Sequence, residues 1–163
     1  MTLDDINETI LSSALAILPG AMDTPAARVM LLSIGQQESR FQYRLQIGGP
    51  ARGFWQCEQG TQQSRGGIWG VYLHTASRYW LSVLCGVRGV PFTPGAIYQA
   101  VATDDVLAAG VARLLLFTDP KVLPPVTDTA GGWALYQRVW RPGKPRPDTW
   151  PQFHENARET IRP

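Results

Sequence analysis

The chain has 163 residues, 44% hydrophobic and 10% aromatic, which are proportions of a globular domain and exclude a disordered or fibrous chain. That length predicts one domain that buries about two thirds of its unfolded surface without a metal or disulfide staple. The formal net charge of +2 and sequence pI of 8.7 point to an anionic partner, yet no run of lysines or arginines marks a nucleic-acid binder, and no apolar run reaches the ~20 residues of a membrane span.

The first predicted helix covers 3–18. Asp4, Asp5 and Glu8 precede the apolar stretch Ile10 to Leu18, whereas an export signal opens with positive charge, so the expectation is an ordinary helix and no signal peptide. The next helix, 25–40, opens on Thr24-Pro25, a polar cap followed by proline at the first helical position. Its apolar positions Ala27, Met30, Leu31, Ile34 and Phe41 fall within roughly 100° of arc at 3.6 residues per turn, and Glu38 falls inside that arc. A glutamate aimed at a core has its charged form desolvated, so its carboxyl group should hold a proton near neutral pH and serve as an acid.

Residues 44 to 71 interrupt the helical pattern. Gly48, Gly49, Gly53, Gly60, Gly66, Gly67 and Gly70 crowd this stretch with Pro50, which predicts turns and a short hairpin at most. Helices follow at 75–87, at 94–102 after the cap-proline pair Thr93-Pro94, at 104–117 and at 129–140. The 104–117 segment is apolar nearly all round and should be the central helix. Trp140 to Pro147 reads as an extended, proline-stiffened connection to a last helix at 151–161, where Pro151 follows Asp148 and Thr149.

Cys57 and Cys85 stand 28 residues apart, matching neither a redox pair nor a zinc ligand set; they read as free thiols, with a disulfide open to them only outside a reducing compartment. His74 and His154 have no metal-type neighbours and receive no function. Arg141, Lys144 and Arg146 are the nearest approach to a basic cluster and read as a solvated loop rather than a phosphate track. No nucleophile elbow and no phosphate-cradling glycine loop is present.

Chemistry concentrates in two segments, Gln37-Glu38-Ser39-Arg40-Phe41 and Ala51-Arg52-Gly53-Phe54-Trp55-Gln56. Together they resemble the paired motifs of lytic transglycosylases and goose-type lysozymes, where a glutamate-serine pair ends a helix and a glycine-hydrophobic-hydrophobic-glutamine segment follows. The resemblance covers residues 25 to 60, and the remainder only in helical layout and length. It implies a mainly α, lysozyme-like α+β domain with a small glycine-rich hairpin region beside a peptidoglycan groove. The implied substrate is the β-1,4 bond between N-acetylmuramic acid and N-acetylglucosamine, cleaved without metal or organic cofactor, with no nucleic-acid or membrane partner.

Residue by residue, the resemblance makes Glu38 the general acid, Ser39 a polar neighbour that orients it, Gln56 a binder of the sugar's acetamido or hydroxyl groups, and Gly53 a point of close backbone approach. Read from the residues alone, Glu38 could swing out to solvent at the helix end and pair with Arg40 or Arg44, Ser39 could cap its own helix, Gln56 satisfy its loop and Gly53 serve a turn. Glu58 stands two residues after Gln56, where goose-type lysozymes carry an aspartate. A second carboxylate about 6.5–9.5 Å from the first would position water for inverting hydrolysis, and without one the muramic 6-hydroxyl can close to an anhydro product. A solvent-facing hairpin residue is the other reading of Glu58.

Trp133, Tyr136 and Trp140 share one helix face at i, i+3 and i+7. The resemblance places a tyrosine near the acid within an alanine-tyrosine-asparagine-alanine-glycine pattern; this chain has Leu135-Tyr136-Gln137-Arg138-Val139, so only Tyr136 matches. The stripe could be core or a sugar-stacking surface, and Trp55 and Trp69 are further stacking candidates. The expectation is therefore a muramidase, with a missing export signal pointing to a phage protein, either a lysis enzyme released through a holin-type hole or a virion component. A catalytically silent wall-binding or structural virion protein is the alternative, and a chitin- or chitosan-cleaving relative the third.

Overall fold

The computed structural model describes all of residues 1–163 as eight helices joined by short connections. The first, α1, runs as one rod through Leu3–Asp5, a π-helical stretch Ile6–Leu11 and Ser12–Ile17. The Asn7 carbonyl accepts from the Ser12 amide at the end of the π turn, and Arg28 adds to it: Nη1 donates to the Asn7 carbonyl at 3.2 Å and to Asn7 Oδ1 at 2.8 Å, while Nε pairs with Asp23 at 2.7 Å.

The second helix, α2 (Pro25–Ser39), begins as its sequence dictates, with the Thr24 hydroxyl accepting from the Ala27 amide at 3.1 Å. It is buried on nearly every face, from Val29 through Gln36. A short 3-10 turn, Gly20–Met22, leads into it. The helix stops one residue earlier than the periodicity suggests. Arg40 takes a left-handed conformation with φ 55°, and Phe41 repeats it at 55°. Phe41 thus lies beyond the helix rather than on its stripe, and its ring folds back over Gly35, where a side chain would meet Phe41 Cζ at 2.0 Å. Two successive left-handed non-glycine residues cost of order 1–3 kcal/mol each, and the packing of Phe41 edge-on to Phe54 and Trp55, both at 5.5 Å, offsets them.

From 42 to 66 the chain forms turns and no strand. The expected hairpin, and with it the α+β description, does not materialise: only two isolated antiparallel bridges form, Leu45 with Arg52 and Arg52 with Cys57. Left-handed backbone at Gly48, Gly53, Gln56, Gly60 and Arg65 breaks each extended run before a ladder can grow. Glycine is obligatory at Gly53, with φ 77° and the Val101 carbonyl 2.7 Å from where a Cβ would sit, and at Gly60, with φ 67° and the Gly66 carbonyl at 2.0 Å. The loop is pinned from outside by Arg44, whose two nitrogens clasp Asp105 at 2.8 Å each while its guanidinium lies 4.1 Å over the Phe54 ring.

A helix not predicted from the sequence follows, α3 (Gly67–Leu73), inside the stretch expected to be irregular. It has no side-chain cap; instead the Ile68 and Trp69 amides donate to the carbonyls of Glu58 and Gln59, each at 3.1 Å. Then come α4 (Thr75–Arg88), α5 (Pro94–Ala100), α6 (Asp105–Phe117), α7 (Thr129–Trp140) and α8 (Trp150–Ile161). The α6 helix is buried without interruption from Leu107 to Leu116, as its composition predicts, and shares the centre with α2. Gly110 lets α4 approach it closely, since a Cβ there would meet Leu84 Cδ2 at 2.5 Å. On the other side α8 lies along α2. No helix is long and apolar enough to cross a membrane.

Candidate active site

The end of α2, the 43–66 loop, α7 and the strap after it enclose a cleft of about 630 Å³. Gln37 and Glu38 line it from α2, Gln56, Cys57 and Glu58 from the loop, Tyr136 and Trp140 from α7, and Arg141, Lys144 and Arg146 from the strap. The helix stripe carries Glu38 inward, but the break at Arg40 turns the chain away and keeps the carboxyl group at the cleft surface rather than sealed in the core. Neither neighbouring arginine neutralises it, because Arg44 is held by Asp105 and Arg40 lies 5.7 Å from the Phe153 ring.

Burial pushes the Glu38 carboxyl from its ordinary value of 4.5 up to about 7, opposed by a hydrogen bond from the Tyr136 hydroxyl and reinforced by the negative charge of Glu58. Tyr136 donates to Glu38 Oε1. Burial first, and then the charge of Glu38, hold the phenol well above its ordinary value, so it remains a donor at any working pH. Its ring is fixed by stacking on Trp150, with centroids 5.4 Å apart and planes 12° from parallel, and by Trp133 at 5.4 Å. The aromatic stripe of α7 is thus a packed wedge. Trp133 and Trp150 stiffen Tyr136 from behind, and Trp140 donates its indole N–H to the Trp55 carbonyl at 2.9 Å.

Ser39, 1% exposed, is turned away from the cleft. Its hydroxyl donates to the Phe54 carbonyl at 2.6 Å and accepts from the Phe41 amide at 3.1 Å, tying the helix end to the loop that carries Gln56. It holds the helix end against the loop and does not line the cleft. Trp55 is also removed from the cleft: it is 1% exposed, and its indole N–H donates to the Leu31 carbonyl at 2.8 Å, so the stacking surface expected of it is not presented. Gly53 faces the Val101 carbonyl and not the cleft, so its close approach is to its own chain. Gln56 lines the cleft, with its amide donating to the Gly53 carbonyl at 2.9 Å and its oxygen left over. Trp69 packs edge-on to Tyr72 at 5.5 Å, outside the cleft.

Glu58 is exposed on the wall formed by the loop, its backbone fixed by the first turn of α3. Both cysteines are buried and free, and burial pushes the Cys57 thiol up to about 12 and the Cys85 thiol up to about 11. His74 caps α4 by accepting from the Ser77 amide at 3.2 Å, and buried His154 pairs with the Thr129 hydroxyl at 3.1 Å. No three His, Cys, Asp or Glu side chains converge on a point.

Two contributors escape sequence reasoning. Tyr43, 48% exposed at the cleft edge, donates its hydroxyl to the Glu38 carbonyl at 2.8 Å; nothing in its local sequence distinguishes it from any loop tyrosine. The basic residues of the strap, read from sequence as merely solvated, line the cleft. Charge count alone could not place them.

Fold and site together define a mainly helical protein with a half-buried, protonatable glutamate at the floor of an open cleft. Compared with known protein families, curated proteins and solved structures, the chain matches none.

Proposed function

We propose that this is a lysozyme-like domain whose cleft cleaves the β-1,4 bond between N-acetylmuramic acid and N-acetylglucosamine in bacterial peptidoglycan, with Glu38 as general acid. The observation that carries the proposal is the placement of Glu38, whose carboxyl group lines the cleft and accepts from the Tyr136 hydroxyl, with burial pushing it up to about 7. Breaking a glycosidic bond requires a proton on a poor leaving-group oxygen, and an acid matched to the ambient pH supplies it most effectively. As the proton leaves, the Tyr136 hydroxyl, already donating to Oε1, stabilises the new carboxylate. Glu58, the other carboxylate lining the cleft, is the candidate to place water against the sugar's far face; if it does not, the muramic 6-hydroxyl closes the anhydro ring.

The test is mass spectrometry of muropeptides released from purified peptidoglycan by wild type, Glu38→Gln and Glu58→Gln. Wild type should release product and Glu38→Gln should lose it by roughly a hundredfold or more, the usual value of a positioned acid. Reducing-end muramic acid means hydrolysis, which Glu58→Gln should slow; anhydromuramic acid means transglycosylation and removes the role given to Glu58. A wild type no more active than Glu38→Gln defeats the proposal. The second reading is a wall-binding or virion structural protein without turnover. It is favoured by the occupied amide of Gln56 and the core placement of Trp55, which leave fewer sugar contacts than the motif implies.

A further inference from the structure

Where α2 stops, one backbone group is left over. Arg40 turns left-handed and the Gln42 amide bonds back to the Ser39 carbonyl at 3.0 Å, so the Glu38 carbonyl, among the last of the helix, has no backbone donor. The Tyr43 hydroxyl takes that place at 2.8 Å. The bond anchors the tip of a ring that lines the cleft and is 48% exposed. The chain's other four tyrosines have their rings engaged: Tyr72 by Trp69, Tyr79 by Trp80, Tyr98 by the Arg52 guanidinium and Tyr136 by Trp150. Tyr43 alone pairs with no aromatic ring and no cation. Three residues on, Gln46 also lines the cleft. Its side-chain oxygen accepts from the Ala51 amide at 3.2 Å, which leaves the side-chain nitrogen without a partner in the protein. Gly49 makes room for it, since a Cβ there would meet Gln46 Oε1 at 2.1 Å.

An anchored, unpaired ring and a free amide donor on one cleft wall suit a ligand with an apolar face and a polar rim. A pyranose is built that way: its axial C–H bonds make one face apolar, while hydroxyl and acetamido oxygens ring the edge. Resting on the reading of the cleft as a glycan site, we propose that Tyr43 and Gln46 form the sugar platform beside the acid. Tyr43 stacks on the apolar face of one sugar, and Gln46 donates to an oxygen on its rim. This pair takes the part expected of Trp55 and Trp69, neither of which lines the cleft. The Tyr43 hydroxyl is bonded to the main chain of Glu38 itself, so a sugar on this ring adjoins the bond to be protonated rather than a distant part of the chain.

The experiment measures calorimetrically the binding of a peptide-free tetrasaccharide of alternating N-acetylglucosamine and N-acetylmuramic acid. Each variant is made in Glu38→Gln protein, so that the sugar is not consumed. Tyr43→Leu should weaken binding roughly tenfold, whereas Tyr43→Phe, which keeps the ring, should stay within about twofold. Gln46→Glu keeps an oxygen for the Ala51 amide but removes the donor, and should weaken binding roughly fivefold. The stack is also read without altering the ring, by nuclear Overhauser contacts between the Tyr43 ring protons and sugar C–H protons, the Tyr43 signals being those missing from Tyr43→Phe. Absence of those contacts, a Tyr43→Leu protein that binds as tightly as its parent, a Tyr43→Phe protein as weak as Tyr43→Leu, or a Gln46→Glu protein of unchanged affinity overturns the platform and leaves the glycan reading standing. If neither wild type nor Glu38→Gln binds the tetrasaccharide, both fall together. If the sugar binds with the expected pattern but wild type never cleaves it, the platform is supported and the muramidase reading alone fails.

Discussion

Replacing Glu38 with glutamine should stabilise the protein at alkaline pH, and this tests the physics of the site independently of any activity. The folded carboxyl titrates at about 7 against an ordinary value of 4.5, so between those values the folded state binds more protons than the unfolded chain. Stability must then fall as pH rises through that window, and the full cost is present above it. At about 1.4 kcal/mol per pH unit, the interval from 4.5 to about 7 amounts to about 3 kcal/mol. Glutamine keeps the shape and an oxygen to accept the Tyr136 hydrogen bond, but carries no charge to desolvate. Glu38→Gln should therefore melt several degrees higher than wild type at pH 8, by roughly 2–4 °C per kcal/mol for a domain of this size, with the advantage fading toward pH 4. Differential scanning calorimetry or denaturant titration across pH 4 to 8 measures it. An advantage independent of pH, or a variant less stable than wild type at pH 8, would refute the argument that burial holds the proton on Glu38.

Removing the Tyr136 hydroxyl by Tyr136→Phe keeps the stack on Trp150 but deletes the donor that favours carboxylate. The alkaline limb of the pH–activity profile, set by Glu38 in its acid form, should move up by roughly one pH unit; a limb that stays or moves down contradicts the assigned hydrogen bond. Ser39→Ala leaves the buried Phe54 carbonyl and Phe41 amide without their shared partner, a loss of about 1–3 kcal/mol readable as a lower denaturant midpoint. Cys57 and Cys85, buried and protonated, should resist a thiol reagent at pH 8 in native protein and both react in denaturant; rapid native labelling would show that the loop or α4 opens.

Helix placement was largely legible in the sequence because most helices carry their own instructions. Thr24-Pro25 and Thr93-Pro94 cap as written, and the side chain of each threonine accepts from the amide three residues on. What failed was the glycine-rich stretch. There α3 starts without any local signal, since its first amides bond to carbonyls of the loop that precedes it rather than to a capping side chain. The expected hairpin failed for a related reason: the left-handed turn at Gln56 goes with burial of that residue in the fold, which no local propensity encodes.

By itself the sequence determined that this chain is mainly helical, and that a carboxylate sits on an apolar helix stripe, because periodicity is local and survives without a partner. Only the tertiary structure decided which side chains face that carboxylate. Tyr136, far along the chain, became its hydrogen-bond donor, while Ser39 and Trp55, next to the same motifs, were drawn into the core. It also brought the cationic strap to the same cleft as Glu38. Spacing along a chain fixes which face a residue occupies on its own helix, but what that face meets depends on how separate helices pack.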